Sequence, residues 1–439
     1  MDNYSWDIVY ACSGNYINKQ LNNNANKLIQ SFEYEDAAVK IIGHFGAWKI
    51  VPGGGGSLLQ FETPLTTGEV TFKQFNETIP LDGVIPLVEM QLQLVKGGTQ
   101  QIVRSLVFNC TTVGKHKGDT ASGAVTIINP DTSGTLAKYI DTHPDEAKLG
   151  AAMLSHGLGM IFIQNVDELN FVFASLLPVI TSQNGDWISP ATVTYAYQQP
   201  VDSSLGGIAI MGMLENVSAD NLPRNFDPAL LLNKDFGFVL SGMAFMKNVI
   251  LPSLPGGFQG NCHINDFNLN KDGSITLRDK FNLDSVKVGL IYYTPCVTEI
   301  NYHIDDTTIR CYVATQTDIT GLTSAYVINT VTSNNPSEFN VATRTLSFGR
   351  DPNMSSTKNA YIPCWEQALG ALLTINIMNL VIDAVSLAIQ NSVGSLTSSK
   401  TAQSLGELAL IQIKWSGQQS IAITAGGLAD NVYMQGSLN

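Results

Sequence analysis

Residues 227–252, DPALLLNKDFGFVLSGMAFMKNVILP, determine the fold that we expect for this chain. Asp227 is a good helix N-cap, and Pro228 suits the first helical position because a residue there needs no N–H group. Apolar residues then recur at helical spacing until Pro252 ends the pattern. We therefore predict one helix over 227–251, roughly 24 residues and so about 36 Å long. Its apolar stripe consists of Leu232, Phe236, Val239, Met243, Met246 and Ile250.

A second long helix is predicted to start near Pro363 and to run to about Asn391. In its second half one side is polar, and the opposite side is apolar. The polar stripe consists of Asn376, Asn379, Asp383, Ser386 and Gln390, and the apolar residues opposite are Ile377, Val381, Val385 and Ala388. The polar residues of the first half, Gln367 and Thr374, lie on another side, so we expect this helix to pass between two cores.

The rest of the chain is dominated by strand patterns. Residues 88–94 alternate between apolar and polar, and a Lys-Gly-Gly-Thr turn at 96–99 leads into a second run at 102–108, which predicts a hairpin. Residues 286–292 alternate equally clearly. Further strands are predicted at Ile41–Val51, Leu58–Thr63, Ala124–Ile128, Ile161–Gln164, Phe171–Leu177, Thr192–Tyr197, Gly207–Leu214, Ile309–Gln316, Ala325–Val331, Phe339–Phe348, Leu408–Trp415 and Ser420–Thr424. A short amphipathic helix follows Ser13, which is its expected cap.

This order of elements predicts an α+β, β-dominated fold. Helices separated by many strands fit neither βαβ repetition nor a plain sandwich, whereas a strongly curved antiparallel sheet rolled around a long helix would cover the helix's apolar face. Charged residues are only 14% of the chain, against roughly 25% in an average soluble protein, so Ser, Thr and Asn must supply much of the polar surface. The 439 residues allow two or three domains.

The net charge and the absence of targeting signals restrict the classes of function to be considered. A net charge of −13 disfavours non-specific binding to nucleic acid and to anionic membranes. The N-terminal MDNYSWDIVYACSGNY has no basic residue and no apolar h-region, so we expect no signal peptide and a cytoplasmic site of synthesis. Both long helices carry polar residues inside their apolar runs, which argues against a transmembrane segment. The six cysteines form no CxxC pair and are expected to be buried free thiols.

Enzyme signatures are mostly absent. The chain has no GxSxG, HExxH or GxxxxGK[ST] motif, and its histidines form no cluster with ligand spacing. His303 near Asp305 and Asp306 is interpreted as an exposed strand end. Asn268 to Asp279 follows the spacing of an EF-hand loop, but the flanking segments look like strands, so we favour a hairpin turn at Lys271-Asp272-Gly273 over a calcium site. No metal and no cofactor is expected.

Two groups of residues are candidates for ligand binding. The stripes of the two long helices either fill the core or line a groove that is shared with the curved sheet; in the second case they would contact a lipid or another apolar ligand. That candidate set is Leu232, Phe236, Val239, Met243, Met246, Ile250, Ile377, Val381 and Val385. Lys115 and Lys117, on either side of His116, form a compact basic spot that is either solvated or meets a phosphate or lipid headgroup.

Several segments, in order along the chain, resemble the clostridial 47-kilodalton accessory proteins, which are encoded with the OrfX proteins beside botulinum neurotoxin genes. The similar segments are YSWDIVYACS (4–13), NKQL (18–21), FIQN (162–165), FASL (173–176), NVILP (248–252), IYY (291–293) and IPCWE (362–366). They span nearly the whole chain.

The resemblance implies the TULIP (tubular lipid-binding) fold, in which two modules each roll a curved antiparallel sheet around a long helix. We place the modules at 1–225 and 226–439, with helix 363–391 either bridging them or completing the first. The implied function is that of a non-enzymatic accessory protein that binds a lipid or apolar ligand and assists a co-encoded toxin. Two alternatives remain open at this point. One is a protein–protein scaffold without lipid, and the other is a directly acting insecticidal protein.

Overall fold

The computed structural model describes residues 1–97, 102–137, 139, 144–178, 186–322, 324–362, 367–398 and 412–439. Within these ranges strands far outnumber helices, which confirms the β-dominated fold. The α-helices are α1 (Gly14–Asn23), α2 (Pro144–Gln164), α3 (Gly242–Phe245), α4 (Leu251–Gly257) and α5 (Gln367–Ser398). Short 3₁₀ turns lie at Ala25–Lys27, Val166–Glu168, Asp186–Ile188, Pro228–Leu231 and Ile264–Asp266, and a π-helical turn lies at Met246–Ile250.

The strands fall on both sides of the boundary predicted near residue 225. Those before it are β1 (Ile8–Ser13), β2 (Ser31–Glu35), β3 (Val39–Phe45), β4 (Lys49–Gly55), β5 (Leu58–Glu62), β6 (Leu65–Phe72), β7 (Glu77–Pro80), β8 (Leu87–Lys96), β9 (Arg104–Asn109), β10 (Thr112–Val113), β11 (Ala124–Asn129), β12 (Val172–Leu176), β13 (Thr192–Gln198) and β14 (Gly207–Met213). Those after it are β15 (Phe236–Leu240), β16 (Phe267–Leu269), β17 (Ile275–Leu277), β18 (Phe281–Asn282), β19 (Val286–Val288), β20 (Ile291–Tyr293), β21 (Cys296–Asp305), β22 (Thr308–Asp318), β23 (Tyr326–Asn340), β24 (Thr345–Phe348), β25 (Ser355–Tyr361), β26 (Ile413–Trp415), β27 (Ile421–Ala429) and β28 (Asn431–Leu438).

A six-stranded antiparallel sheet joins the two halves of the chain. Its strand order is β13-β14-β1-β15-β28-β27, so each side of the predicted boundary contributes three neighbouring strands. The junction is the pairing of β1 with β15, with Tyr10 opposite Phe238. Both faces of this sheet are buried, because Tyr10 and Phe238 point into the main core while Val9 and Val239 belong to a smaller core on the other face. The division into two modules remains a prediction.

Each half also holds sheets of its own. The first half has a four-stranded sheet, β2-β3-β6-β7, and most of an eight-stranded sheet that contains β8, β9, β11 and β12. Helix α2 packs against β2, β3, β10 and β11. The second half has another eight-stranded sheet built around β21, β22 and β23, and helix α5 packs against β23 and β24. After α5 the chain returns to the first half, where β26 pairs with β12.

The prediction of one continuous helix over 227–251 is wrong. Asp227 does cap a helix, since its Oδ1 accepts the Ala229 N–H at 2.9 Å, but that helix is only the 3₁₀ turn Pro228–Leu231. Residues Phe236–Leu240 form strand β15, and a new helix begins after Ser241, whose Oγ accepts the Ala244 N–H. Strand β15 is buried on both faces, so its sequence is an unbroken apolar run. Periodicity cannot distinguish such a run from a buried helix.

The second long helix is confirmed where its side chains are described, except that Ser386, predicted on its polar side, is buried. Ile377, Val381, Val385 and Ala388 are buried, and Asn376, Asn379 and Asp383 are exposed. The helix runs to Ser398, beyond the predicted end. Pro363 to Glu366, and the side chains of Gln367 and Thr374, lie outside the described residues, so the predicted change of polar side midway along the helix is untested.

Helix α2 contradicts the strand predicted at Ile161–Gln164, which is its last turn. Three glycines, Gly150, Gly157 and Gly159, weaken the helical pattern in the sequence. Gly157 lets α2 approach β3 closely, because a Cβ there would lie 2.5 Å from the Ile41 Cδ1 and would force that side chain to move. Ile41–Val51 and Phe339–Phe348 are also not single strands, because each spans two strands joined by a short connecting segment. Most of the remaining strand predictions agree with the structure, including the β8–β9 hairpin. Of the predicted strand Leu408–Trp415, residues 408–411 lie outside the described ranges.

The alternating run at 286–292 is also not one strand. It folds into a separate two-stranded hairpin, β19–β20, with Val288 paired to Ile291. Gly289 has a φ of +64° and forms the turn with Leu290. Glycine at the first position of a two-residue loop is typical of a type II′ turn, which joins two antiparallel strands in a hairpin.

Candidate apolar ligand site

The stripe predicted on the first long helix does not form one surface. Leu232 is exposed at the end of a 3₁₀ turn, while Phe236 and Val239 lie on strand β15 and point into different cores. Met246 and Ile250 are buried in the π-helical turn, and Met243 is half-buried in α3. A ligand role for these residues remains a prediction, but they cannot act as one groove.

Ile377, Val381 and Val385 do share one face of α5. They are buried in the main core, on a helix that packs against β23 and β24. The eight-stranded sheet also carries buried polar residues, including Thr315, which is directly opposite Asn329 on the neighbouring strand. The lipid role of the three α5 residues remains a prediction.

An apolar cavity of about 200 Å³ lies elsewhere, between α2 and the four-stranded sheet. The sheet contributes Val70, Phe72 and Ile79, whose side chains alternate toward the inside of β6 and β7. The helix contributes one face at helical spacing. The remaining wall is formed by residues just after β11, and the full lining is Val70, Phe72, Ile79, Asn129, Pro130, Asp131, Gly134, Leu136, Ala137, Tyr139, Gly150, Ala151 and Leu154.

The rim of this cavity is polar and ordered by hydrogen bonds. The Asp131 carboxylate accepts the backbone N–H of Leu136 at 2.7 Å and that of Ser133 at 2.9 Å. Burial opposes ionisation of Asp131, but these hydrogen bonds outweigh it and lower the pKa of the carboxyl. On the same rim, the Tyr139 hydroxyl donates to Glu77 Oε2 at 2.9 Å. The site therefore has an apolar interior and a polar, partly charged edge.

This cavity was not predicted from the sequence. Its residues come from three separate segments that meet only in the folded chain. One signal was available in the sequence, because Gly150, Leu154, Leu158 and Ile161 follow helical spacing and all are buried. That pattern would have identified α2 and its inner face, although not the empty space beneath it.

Lys115 and Lys117 lie on an exposed loop between β10 and β11. Two carboxylates order this loop: Asp119 accepts the Lys115 N–H at 2.9 Å, and the buried Glu89 accepts the Gly118 N–H at 2.6 Å. Both contacts are made by backbone groups, so they leave the lysine side chains to the solvent. A headgroup role for these two lysines remains a prediction.

The loop with EF-hand spacing is a hairpin turn, as favoured by the sequence. It connects β16 to β17, and Gly273 has a φ of +82°. The Asp272 carboxylate accepts both the N–H and the hydroxyl of Ser274. In the described ranges, no group of three or more His, Cys, Asp or Glu side chains is placed to hold a metal ion.

Burial makes four of the described cysteines unreactive. All five are free, and four of them are buried. Burial raises the pKa of the Cys110 thiol to about 12, and it does the same for Cys262. A thiol with so high a pKa is protonated at neutral pH and is a poor nucleophile.

Among the described residues, no helix combines the length and apolar character needed to cross a bilayer.

These features define a β-dominated protein in which antiparallel sheets pack around a few helices, with an apolar cavity at one such contact. The chain belongs to the OrfX-like family (Protein OrfX2/OrfX3/P47), which matches residues 3–414. The resemblance seen in the sequence is thereby confirmed.

Individual relatives agree with this assignment. The chain is 25% identical over 448 residues to Protein P47 of Clostridium botulinum (strain Kyoto / Type A2), with 100% of both chains covered. It is 22% identical over 347 residues to Protein OrfX3 of Paraclostridium bifermentans, covering 72% of this chain and 68% of that protein.

Two solved structures share the fold. P47 from Clostridium botulinum A2 has a TM-score of 0.73 at 23% identity, with 100% of this chain and 98% of that chain covered. P47 of Clostridium botulinum E1 has a TM-score of 0.71 at 22% identity, with 100% of both chains covered. At this level of identity the likeness establishes the fold alone.

Proposed function

We propose that this protein is a non-enzymatic accessory protein of a bacterial toxin gene cluster and that it binds an apolar chain, such as the acyl tail of a lipid, between α2 and the four-stranded sheet. The observation that carries the proposal is the cavity of about 200 Å³ at that contact. The chain's membership of the OrfX-like family supports the accessory role.

The size and chemistry of the cavity fit this class of ligand. An apolar cavity of about 150 Å³ stays free of water and accepts a small hydrocarbon. The larger space here, lined by Phe72, Ile79 and Leu154, suits a short segment of an aliphatic chain. The polar rim at Asn129 and Asp131 then faces the head of the ligand, because burying that head among apolar side chains would cost free energy.

The proposal includes the two-module TULIP arrangement, with modules at 1–225 and 226–439. Two features support it. Each half contributes three adjacent strands to the six-stranded sheet, and each half packs one long helix, α2 or α5, against mainly antiparallel sheets. The pairing of β26 with β12 supports the view that the segment after α5 completes the first module.

The decisive experiment is native mass spectrometry of the full chain after exposure to a cell lipid extract. Ala151 lines the cavity, whereas its neighbour Ala152 is exposed on the same helix. We expect the wild-type protein to retain a lipid mass. Ala151→Phe should lose that mass because the ring fills the cavity, and Ala152→Phe should keep it.

Two results would overturn the lipid part of the proposal. One is a wild-type protein that retains no lipid, and the other is equal retention by both variants. In the first case, a pull-down with the products of neighbouring genes would distinguish a protein–protein scaffold, and leakage from vesicles of gut lipid composition would test direct membrane action.

A further inference from the structure

The β19–β20 hairpin carries an apolar tip that the rest of the fold leaves uncovered. Leu290 is 93% exposed, Ile291 is 38% exposed and Tyr292 is 62% exposed. In the described part of the chain, this is the only run of three consecutive large apolar residues that are all exposed. Isolated exposed apolar residues are normal on protein surfaces, whereas a contiguous group marks an interaction site.

The tip is held rigidly, so its exposure is not the result of a loose loop. The hairpin is anchored by Val288 and Tyr293, which are buried in the main core, and β19 packs against α5. The turn contains only Gly289 and Leu290, and the positive φ of Gly289 makes it tight. The fold therefore holds Leu290 at the end of a fixed projection.

Two lysines accompany the apolar tip. Lys287 is paired with Tyr292 across the hairpin, and its Nζ lies 5.5 Å from the centre of the Tyr292 ring. Lys280 lines the same surface depression as Tyr292. Neither lysine forms an ion pair with a described residue. Carboxylates near the lysines include Asp318, in that depression, Asp279, which pairs with Arg278, and Asp284, which accepts a hydrogen bond from Asn261.

We propose that this tip inserts into the interfacial region of a lipid bilayer that contains anionic lipid. A leucine at the end, a tyrosine beside it and lysines behind them match the depth profile of that interface, where apolar groups go deepest and aromatic and basic groups stay near the headgroups. The local basic pair is notable in a chain with a net charge of −13, because it lets an acidic protein approach anionic lipid at one point.

A bilayer fits this tip better than a folded protein does. A stable protein interface buries about 800 Å² on each partner, whereas three side chains on a narrow convex tip bury only a few hundred. The tip is also separate from the cavity beside α2, so this inference does not rest on the proposed ligand binding.

The test is co-sedimentation of the full chain with vesicles of phosphatidylcholine, either alone or with about one-third phosphatidylserine. We expect binding to the mixed vesicles. Leu290→Asp should lower the partition coefficient about tenfold or more, because a carboxylate at the tip cannot enter the apolar layer. The double change Lys280→Gln with Lys287→Gln should weaken binding to the mixed vesicles by about tenfold and should change binding to neutral vesicles little.

Val201→Asp is the matched control. Val201 is fully exposed in the loop between β13 and β14, outside the hairpin, so this variant should bind as the wild type does. A fluorophore on the thiol introduced by Leu290→Cys should shift to shorter wavelength on mixed vesicles, whereas one introduced by Val201→Cys should not. No vesicle binding by the wild type, or unchanged binding by Leu290→Asp, would overturn the proposal. A wild-type dimer that Leu290→Asp converts to a monomer would assign the tip to a second copy instead.

Discussion

The contact between α5 and the second-half sheet has two ends, and their buried polar side chains differ. Near the end of the helix, the Tyr302 and Ser392 hydroxyls lie 3.0 Å apart, and Ser333 Oγ donates to Asn335 Oδ1 at 3.2 Å. Four residues away along β22 and β23, roughly 13 Å at the rise of a strand, lie Thr315 and its cross-strand partner Asn329, with Thr317 two residues beyond. Their side-chain oxygen and nitrogen atoms are buried and have no hydrogen-bond partner among the described residues.

The difference shows that burial of polar groups has two energetic outcomes within one interface. A partnered network contributes stability and specifies how helix and sheet meet, whereas an unpartnered buried polar atom costs about 1–3 kcal/mol. The partnered end therefore fixes the position of α5, and the unpartnered end reduces the stability of the same contact. Substitutions that remove polar atoms should consequently have opposite signs at the two ends.

The largest effect is expected for Asn335→Leu at the partnered end. Asn335 Nδ2 donates to the Ile309 carbonyl at 3.3 Å, and its Oδ1 accepts from Ser333. Leucine has the same number of side-chain heavy atoms but leaves the buried Ser333 hydroxyl unpaired. We expect a loss of about 3 kcal/mol in the free energy of unfolding, measured by urea denaturation. A change below about 0.5 kcal/mol would show that the network contributes nothing.

Asn329→Leu is the same substitution at the unpartnered end, and its effect should have the opposite sign. Neither Oδ1 nor Nδ2 of Asn329 has a partner, so replacing them with methyl groups removes a desolvation penalty. We expect the free energy of unfolding to rise by about 2 kcal/mol in the same urea assay. Asn329→Ala is the companion variant, because it removes the amide without the risk of overpacking. Destabilisation by both variants would contradict the comparison.

Tyr302 allows the partnered end to be tested by pH. Burial raises its pKa well above the ordinary value of 10. The folded state then keeps a proton that the unfolded state loses above pH 10, so stability falls as pH rises beyond that point. The slope is about 1.4 kcal/mol per pH unit. Tyr302→Phe should reduce the slope of the alkaline denaturation curves by about this amount, because other buried tyrosines such as Tyr10 keep their own contributions, whereas Asn329→Leu should leave the slope unchanged. Equal slopes for Tyr302→Phe and the wild type would refute the assignment.

The two long apolar segments show which parts of the fold could be predicted from the sequence. In α5 the polar and apolar sides separate at helical spacing, so the burial of Ile377, Val381 and Val385 was predicted correctly. In Phe236–Leu240 every residue is buried, because β15 lies inside a sheet that is covered on both faces. No alternation remains in such a strand, and the choice between strand and helix depends on neighbours far away in the sequence, such as β1 and β28.

The candidate sites were harder to predict for the same reason. The cavity is formed by β6, β7 and α2 together with residues after β11, and each segment alone looks like ordinary core. The hairpin tip was not predicted because residues 286–292 do alternate between apolar and polar, and this alternation was interpreted as one continuous strand. Only the turn at Gly289 and Leu290 exposes the tip, and nothing local in an alternating run distinguishes a turn from a continuing strand except the glycine.

The smallest expected effect is that of Thr315→Val, which replaces an unpartnered buried hydroxyl with a methyl group of similar size. We expect the free energy of unfolding to rise by about 1 kcal/mol in urea denaturation.

Thr330→Val is the matched control. Thr330 lies on β23, on the opposite face of the sheet, and its hydroxyl is hydrogen-bonded to Thr357 at 2.5 Å, so the same change there removes a partnered group and should lower stability slightly. If both variants shift stability in the same direction, the intrinsic strand preference of valine is responsible and the comparison fails at this position. Opposite signs would show that partnering decides the sign of the effect, because the substitution, the sheet and the assay are the same.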